Sequence, residues 1–452
     1  MRPRRILLVL SSSLLAVSGC ASFRGGSDDV DRRIDAMERE IAALKEGGAG
    51  PGTAAVSAAA PPAPQAAAGP EAAVAPSGIA TAAAQATTPA SADKPAEKPV
   101  PLTWRVTPEI TFKPGLRVQT RFVHDGGTNS NDIAIQRFRL KASGDAWKAK
   151  YGVEMKIDGT GRTGATPSAQ VENAWLDYTF MPSYLVGRAG LYDVPFSRDA
   201  LTSDSKLLFM DRSLIKDALT GFGLADNGIG VMARGRPLGG HVEYMVGGFN
   251  NESFDGLGIF GRGRGSSNQV MPVGRVAVDL LDPAPEGGYA DYKASYIGQG
   301  RRFAIGVNGA QLGDAENRVN NVLQEFDIWA WGTDLFFNWG PYTLQAEYDW
   351  YRLTGDVDRS NWGWYAQGAY LIEPLKKALA ETAPWFPDLE VAGRYQQLDA
   401  RSFSPEEEKR TSIGMNAYIH DHNLKIQTEL SFRQLQHSSD SKLYQIQLQL
   451  DF

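Results

Sequence analysis

Between Ile133 and Gly144 the chain reads IAIQRFRLKASG, in which Arg137, Arg139 and Lys141 alternate with Phe138, Leu140 and Ala142. Alternation with period two predicts a strand whose faces meet different surroundings, because successive side chains point to opposite sides of a sheet. Taken alone, the stretch also fits a soluble sheet with a solvated outer face. The same texture recurs, however. KYGVEMKIDG sets Tyr151, Val153, Met155 and Ile157 against Glu154, Lys156 and Asp158, and GPYTLQAEYDWYR sets Tyr342, Leu344, Ala346, Tyr348 and Trp350 against Thr343, Gln345, Glu347 and Asp349. NLKIQTELSFRQ sets Leu424, Ile426, Thr428, Leu430 and Phe432 against Lys425, Gln427, Glu429, Ser431 and Arg433. KLYQIQLQLDF ends the chain with Tyr444, Ile446, Leu448, Leu450 and Phe452 opposite Gln445, Gln447, Gln449 and Asp451.

A soluble fold of this size would bury several central strands on both faces, whereas nearly every segment here keeps a strongly polar second face. A closed barrel with lipid outside and water inside requires that arrangement, because no strand edge can stay open in hydrocarbon. The fold class expected for 101–452 is therefore all-β: a transmembrane antiparallel β-barrel of about 16 strands. Trp175, Tyr178, Trp329, Trp331, Trp339, Trp350, Trp362, Trp364 and Tyr365, near segment ends, are assigned to interfacial aromatic belts. An even strand count places both barrel termini on the periplasmic side.

The first hundred residues have a different pattern. Arg2, Arg4 and Arg5 precede an apolar run from Ile6 to Val17, so residues 1–20 read as an export signal. Val17-Ser18-Gly19-Cys20 resembles the lipobox of bacterial lipoproteins, which makes Cys20 a lipidation candidate; ordinary cleavage after Ala21 is the alternative. Within 28–46, Val30, Ile34, Met37, Ile41 and Leu44 fall at alternating spacings of four and three, a short heptad seam that predicts a periplasmic coiled-coil helix. Residues 47–100, rich in Ala, Pro, Gly, Thr and Ser, cannot bury a core and are expected to form a disordered or partly extended linker.

Composition narrows the function classes. The 48 glycines and 10% aromatic residues suit many strands and tight turns better than a helical enzyme. A formal net charge of −6 excludes a general nucleic-acid binder, although a local basic surface is compatible with it. Cys20 is the one cysteine, so no disulfide framework or cysteine-rich metal site can form. His420-Asp421-His422 falls at a probable turn and is read as solvated rather than metal-binding. GIFGRGRGSSN, from Gly258 to Asn268, lacks the Gly-Lys-Ser/Thr ending of a phosphate-cradling loop and is read as a flexible connection. No Ser, His and acid set carries a nucleophile signature, so neither an enzyme such as a lipid hydrolase nor any metal or cofactor is expected.

The candidate chemistry lies on the polar faces. If Leu116, Val118, Thr120 and Phe122 face lipid, then Arg117, Gln119 and Arg121 face the lumen beside Arg137, Arg139 and Lys141 of the next strand. Arg188, Arg234, Arg275 and Arg394 are inward candidates from other strands. Planar guanidinium forks suit carboxylate or phosphate, and successive weak sites let an anion enter and still leave. The opposing reading is that Glu154, Asp177, Glu243, Asp279 and Glu347 cancel these cations and leave a general pore.

The stretch LVGRAGLYDVPFSRDALTSDSKLLFMDRSL, followed by FGLADNGIGVMARG, resembles the phosphate-selective porin O and P family. The resemblance rests on Val194-Pro195-Phe196, on Asp211 to Leu214 (DRSL), and on the Asp226-Asn227-Gly228-Ile229-Gly230-Val231 entry into the following strand. It extends over most of 101–452, while the N-terminal helix and tether are similar to those of related dicarboxylate porins. It implies a sixteen-stranded homotrimer in the bacterial outer membrane whose long third loop, Val194 to Leu224, folds into the pore. Arg198, Lys206, Arg212 and Lys216, interspersed with Asp199, Asp204, Asp211 and Asp217, would then line a constriction. The expected function is an outer-membrane porin, a passive diffusion channel for small anionic solutes such as phosphate or carboxylates. A general porin without strong selectivity, or a barrel serving as a structural or adhesion anchor, are the alternatives.

Overall fold

The computed structural model describes residues 103–158, 168–250, 270–283, 292–319, 322–356, 358–379, 381–383, 385–400, 407–436 and 440–452. The export signal, Cys20, the heptad seam at 28–46, the linker at 47–100 and the glycine-rich stretch Gly258 to Asn268 lie outside these residues.

Among the described residues, seventeen strands form one antiparallel sheet. They are β1 Trp104–Thr107, β2 Ile110–Asp125, β3 Ser130–Ala146, β4 Ala149–Asp158, β5 Ser168–Met181, β6 Leu185–Asp193, β7 Asn227–Gly235, β8 Val242–Asn250 and β9 Val270–Asp279. Then follow β10 Arg301–Val319, β11 Val322–Trp339, β12 Tyr342–Gly355, β13 Arg359–Leu371, β14 Asp388–Asp399, β15 Glu408–His420, β16 Leu424–Leu435 and β17 Ser441–Asp451. The short β1 pairs only with the start of β2. The other sixteen close into a barrel, because β17 pairs with β2 from Leu443 opposite Asp125 to Asp451 opposite Arg117. Leu116 and Phe452 exchange backbone hydrogen bonds of 2.9 Å each way at the end of this seam. Closure leaves no open edge for hydrocarbon. The start of β2 and the end of β17 share one rim, here the terminal end, and successive connections alternate between that rim and the opposite one.

Strand alternation produces an inside-out molecule. Along β12, Gln345, Glu347 and Asp349 are buried, with Asp349 fully so, while Leu344 on the other face is 53% exposed. Val231, Val307, Ile413 and Leu448 are likewise exposed, and Gln119, Asn338, Asn361, Gln396 and Gln449 are completely buried. A soluble core has the reverse distribution; an apolar band outside and a polar interior are what lipid demands. The belt residues Trp329, Trp331 and Trp339 are outside and about half exposed. Two aromatics assigned to the belt instead point inward. Tyr365 is buried and donates to Glu347 at 3.0 Å, and Trp175 lies under the Arg188 guanidinium at 3.9 Å. At each of these positions register, not residue type, decides the face.

Among the described residues, two connections enter the lumen from opposite rims. From the rim opposite the termini comes the segment between β6 and β7, which carries the helical turn α1 (Arg198–Leu201) and the helix α2 (Leu214–Thr220). From the terminal end comes the connection between β9 and β10, which sequence alternation does not announce. Its Tyr292, Ala294 and Ile297 are buried, and Ala294 donates its N–H to the Lys206 carbonyl at 3.1 Å. A turn there would need only a few residues; this one fills space instead. The lumen is consequently not polar throughout. Phe196, Leu201, Ile215 and Leu219 of the first segment pack with Phe249, Leu312, Ile328, Tyr351 and Leu353 of the inner wall. Each fully buried side chain of this size stabilises the packed loop by about 1.5–3 kcal/mol.

Candidate functional site

The β6–β7 segment is held by three kinds of contact, each traceable to residue type. Ser197 caps α1 by accepting the N–H of Ala200, and Ser213 caps α2 by accepting that of Lys216. Asp199 ties the two together by accepting both the N–H and the hydroxyl of Ser213, each at 2.8 Å. Glu347 of β12 accepts the backbone N–H groups of Arg198 and Asp199 at 3.0 Å each, satisfying donors that so short a helix leaves free. Ile215 of α2 sits over Gly363, where an added Cβ would come within 2.8 Å of the isoleucine Cβ, so only glycine lets the helix approach β13 this closely.

Between α1 and α2 the chain runs along the inner faces of β14 to β17 and β2. Its carbonyls are taken by inward side chains: Ser205 by Gln449 at 3.0 Å, Leu207 by Lys425 at 3.1 Å, Leu208 by Asn416 at 3.1 Å, Met210 by Arg121 at 2.9 Å and Asp211 by Arg394 at 2.8 Å. The glutamines also join one another, Gln119 donating to Gln449 at 2.7 Å and Gln447 to Gln427 at 3.3 Å. Buried backbone polar groups must find partners, and a wall of long amides supplies them.

Arg117 and Arg121 of β2 and Arg137, Arg139 and Lys141 of β3 all face inward, as the alternation predicts, and all are engaged. Arg117 lies 3.2 Å from Asp451 and 4.0 Å from Asp204. Arg121 meets Asp211 at 2.7 Å, and Arg137 meets Asp204 at 3.1 Å. Arg139 meets Glu172 at 2.6 Å and Glu154 at 3.7 Å, and Lys141 meets Asp451 at 2.5 Å. Arg275 is likewise inward and paired, with Asp334 at 2.5 Å. Two further inward arginines are paired as well: Arg188 and Arg234 share Asp177 at 2.5 and 2.7 Å.

The four basic residues of the segment separate. Arg212 binds Asp204 at 2.8 Å and the Asp199 carbonyl, while Arg198 inserts between aromatic rings away from β2 and β3. Lys206 and Lys216 are half-buried, and their carbonyls accept the Ala294 N–H and the Thr220 hydroxyl. Burial alone would raise the Asp204 carboxyl, but Arg137, Arg212 and Arg117 outweigh it and hold it well below the usual carboxylate range. Asp211 is held low in the same manner, burial being overcome chiefly by Arg121. Both therefore stay ionised at any pH a living surface meets.

His420 and Asp421 are exposed in the β15–β16 turn, but His422 is not solvated: it is buried, with Nε2 2.9 Å from the Ser295 carbonyl and its ring against Tyr418. Burial, and then the nearby Lys425 charge, hold this imidazole neutral at physiological pH. Among the described residues no group of three or more His, Cys, Asp or Glu is placed to hold a metal ion.

Residues 112–452 match the family model of the phosphate-selective porin O and P proteins. A protein of Aquifex aeolicus (strain VF5), described only as uncharacterized, is 26% identical over 353 residues, covering 71% of this chain and 81% of its own length. Among solved structures, an anion-selective porin from Comamonas acidovorans superimposes with a TM-score of 0.51 at 12% identity, covering 76% of this chain and all of the other. The outer membrane channel DcaP of Acinetobacter baumannii gives 0.48 at 12% identity, with 77% of this chain and 99% of that one covered. The Comamonas porin shares the closed barrel fold. With the family match running through every strand from β2 onward, the chain belongs to the phosphate-selective porin O and P family and is a non-enzymatic channel protein of the bacterial outer membrane.

Proposed function

We propose that this porin is a passive diffusion channel favouring small anionic solutes, phosphate or carboxylates among them, through a lumen narrowed by the inward segment Val194 to Leu224. The observation that carries the preference is the convergence of Arg117, Arg137 and Arg212 on the single carboxylate of Asp204. Because Arg117 also pairs with Asp451, which Lys141 shares, the three guanidinium charges face two carboxylates, which still leaves an excess of positive charge where the segment meets the wall, and fixed charge at a narrowing selects the ion of opposite sign. The closely paired Arg139 and Lys141 contribute less, and such pairing is the observation that favours the second reading, a general pore.

The reversal potential of the purified full chain in planar bilayers under a potassium chloride gradient separates the two. A potential on the chloride side supports the anion channel, and one near zero supports the general pore. No ion-permeable state at all would point to an anchoring barrel. The remaining parts of the reading concern assembly and the N-terminus. A homotrimer predicts a threefold mass in mild detergent, and a monomeric mass contradicts it. The heptad seam at 28–46 would join three copies on the periplasmic side. Lipidated Cys20 predicts an acylated first residue by mass spectrometry, and an unmodified chain starting at Ser22 contradicts it.

A further inference from the structure

Halfway round the ring from β2 and β3, three arginines and three aromatic rings stack in one column inside the barrel. The Arg302 guanidinium lies 4.1 Å over Tyr296, whose ring centre is 5.6 Å from that of Phe336. Arg198 follows, 4.2 Å over Phe336 and 4.7 Å over Tyr292, and Arg275 closes the column 5.6 Å from Tyr292. The members come from five places. Arg198 belongs to the segment from one rim, Tyr292 and Tyr296 to the segment from the other, Arg275 and Arg302 to β9 and β10, and Phe336 to β11.

Arg275 has its carboxylate, Asp334. Arg198 and Arg302 form no ion pair among the described residues, and the Nε of each is buried without a hydrogen-bond partner. Arg198 is only 3% exposed. Glu347, which faces the backbone of Arg198, is already occupied: its oxygens accept the N–H groups of Arg198 and Asp199 and the hydroxyl of Tyr365. A guanidinium removed from water without an opposing charge is unfavourable. Ring faces offset part of that cost, but they cover only the flat sides of the cation. The in-plane edge, from which the N–H donors project, keeps its capacity for hydrogen bonds. That edge is a planar fork matched to the paired oxygens of a carboxylate or phosphate.

We propose that Arg198 and Arg302, set apart by the Tyr296 and Phe336 rings, form an oxyanion subsite of two successive steps, each guanidinium taking in turn the carboxylate or phosphate group of a solute where the two inserted segments meet. The assignment rests on the anion-channel reading and deepens it by naming the cations whose donors are unspent. Asp279 at the end of β9 acts on both guanidinium groups from a distance without contacting them. An opposing field of that kind keeps binding weak enough for release, as conduction requires.

The test measures block of chloride current through the full chain in planar bilayers by added inorganic phosphate and, separately, by succinate. Block of the wild-type channel by either probe is expected, and the more effective probe identifies which oxyanion the subsite favours. In R198Q/R302Q the blocking concentration should rise about fivefold, as expected for removing charge from a partly wet site. R302Q alone changes one half-buried side chain and should raise it in the same direction, which keeps the test open if the double variant does not insert. Wild-type block that persists unchanged in either variant overturns the subsite while leaving the anion channel intact. A wild-type channel with no anion preference and no response to either probe would instead sink the anion-channel reading itself.

Discussion

The wall of β2 and β3 and the column around Arg198 both present arginines to the same lumen, yet they compensate the charge in opposite ways. On the wall, carboxylates supplied by β17, β4, β5 and the inserted segment take up the N–H donors directly, as with Asp204, Asp211, Asp451 and Glu172. In the column, rings cover the faces of Arg198 and Arg302 and leave the edges unspent. An ion pair consumes what a solute would need, whereas a stacked ring holds the cation in place without consuming it. Counting inward cations therefore overstates the wall and understates the column.

The largest effect on this contrast is expected from Asp204→Asn. It removes the counter-charge shared by Arg117, Arg137 and Arg212, and breaking a buried pair costs about 3–5 kcal/mol. Protease cleavage between 203 and 212 in the inserted barrel should accelerate, and the reversal potential should move further toward chloride as the wall comes to resemble the column. An unchanged potential would mean that pairing is not what separates the two regions. Glu347→Gln should cost about 1.5–3 kcal/mol, because the carboxylate accepts two backbone N–H groups beside Arg198. Its expected signature is noisier single-channel current, since α1 carries one member of the column; a quiet trace would show that α1 is held by its apolar contacts alone.

Gly363→Ala should cost about 1 kcal/mol by pressing on Ile215, loosening α2 without altering any charge. Protease protection should fall while the reversal potential stays fixed, and a shift in the potential would show that packing sets selectivity too. The smallest effect is expected from acid. Because the Asp204 carboxyl titrates below its unfolded value of about 4, its stabilisation is fully present above that pH and is lost only as pH falls through the lower, folded value. Protease protection of 203–212 should therefore be flat from neutral pH down to about 4, and early loss would detach Asp204 from the anchor.

Much of the barrel was legible because period two survives any tilt or register: Gln445, Gln447 and Gln449 fall inside, and Leu448 and Leu450 outside, as their alternation requires. The direction of Arg117, Arg121, Arg137, Arg139, Lys141 and Arg275 followed from the same rule. Their pairing did not, because it depends on which residues cross-strand register sets opposite one another and on where a distant segment docks. Arg137 meets Asp204 only after β3 and the inserted segment are both in place. Tyr292, Tyr296 and Arg302 were missed for a different reason. They follow the turn-like stretch Asp282 to Gly288 (DPAPEGG), and a segment that fills a lumen has no repeating polarity to betray it. The one available signal was length, since connections at the terminal rim otherwise run as short as the two residues between β11 and β12.

The anchoring contacts of the inserted segment also constrain the order of folding. Arg198 reaches Glu347 across 149 positions of sequence, Leu207 reaches Lys425 across 218, and Ser205 reaches Gln449 across 244. Contacts so distant along the chain form late, after the elements that supply them are in position. The segment has nothing to grip until β12, β16 and β17 are in place, and a barrel whose segment is undocked is a wide, unnarrowed pore. A chain arrested there would be a leak in the membrane rather than a filter, so the last hydrogen bonds to form are the ones that make the finished protein safe to keep.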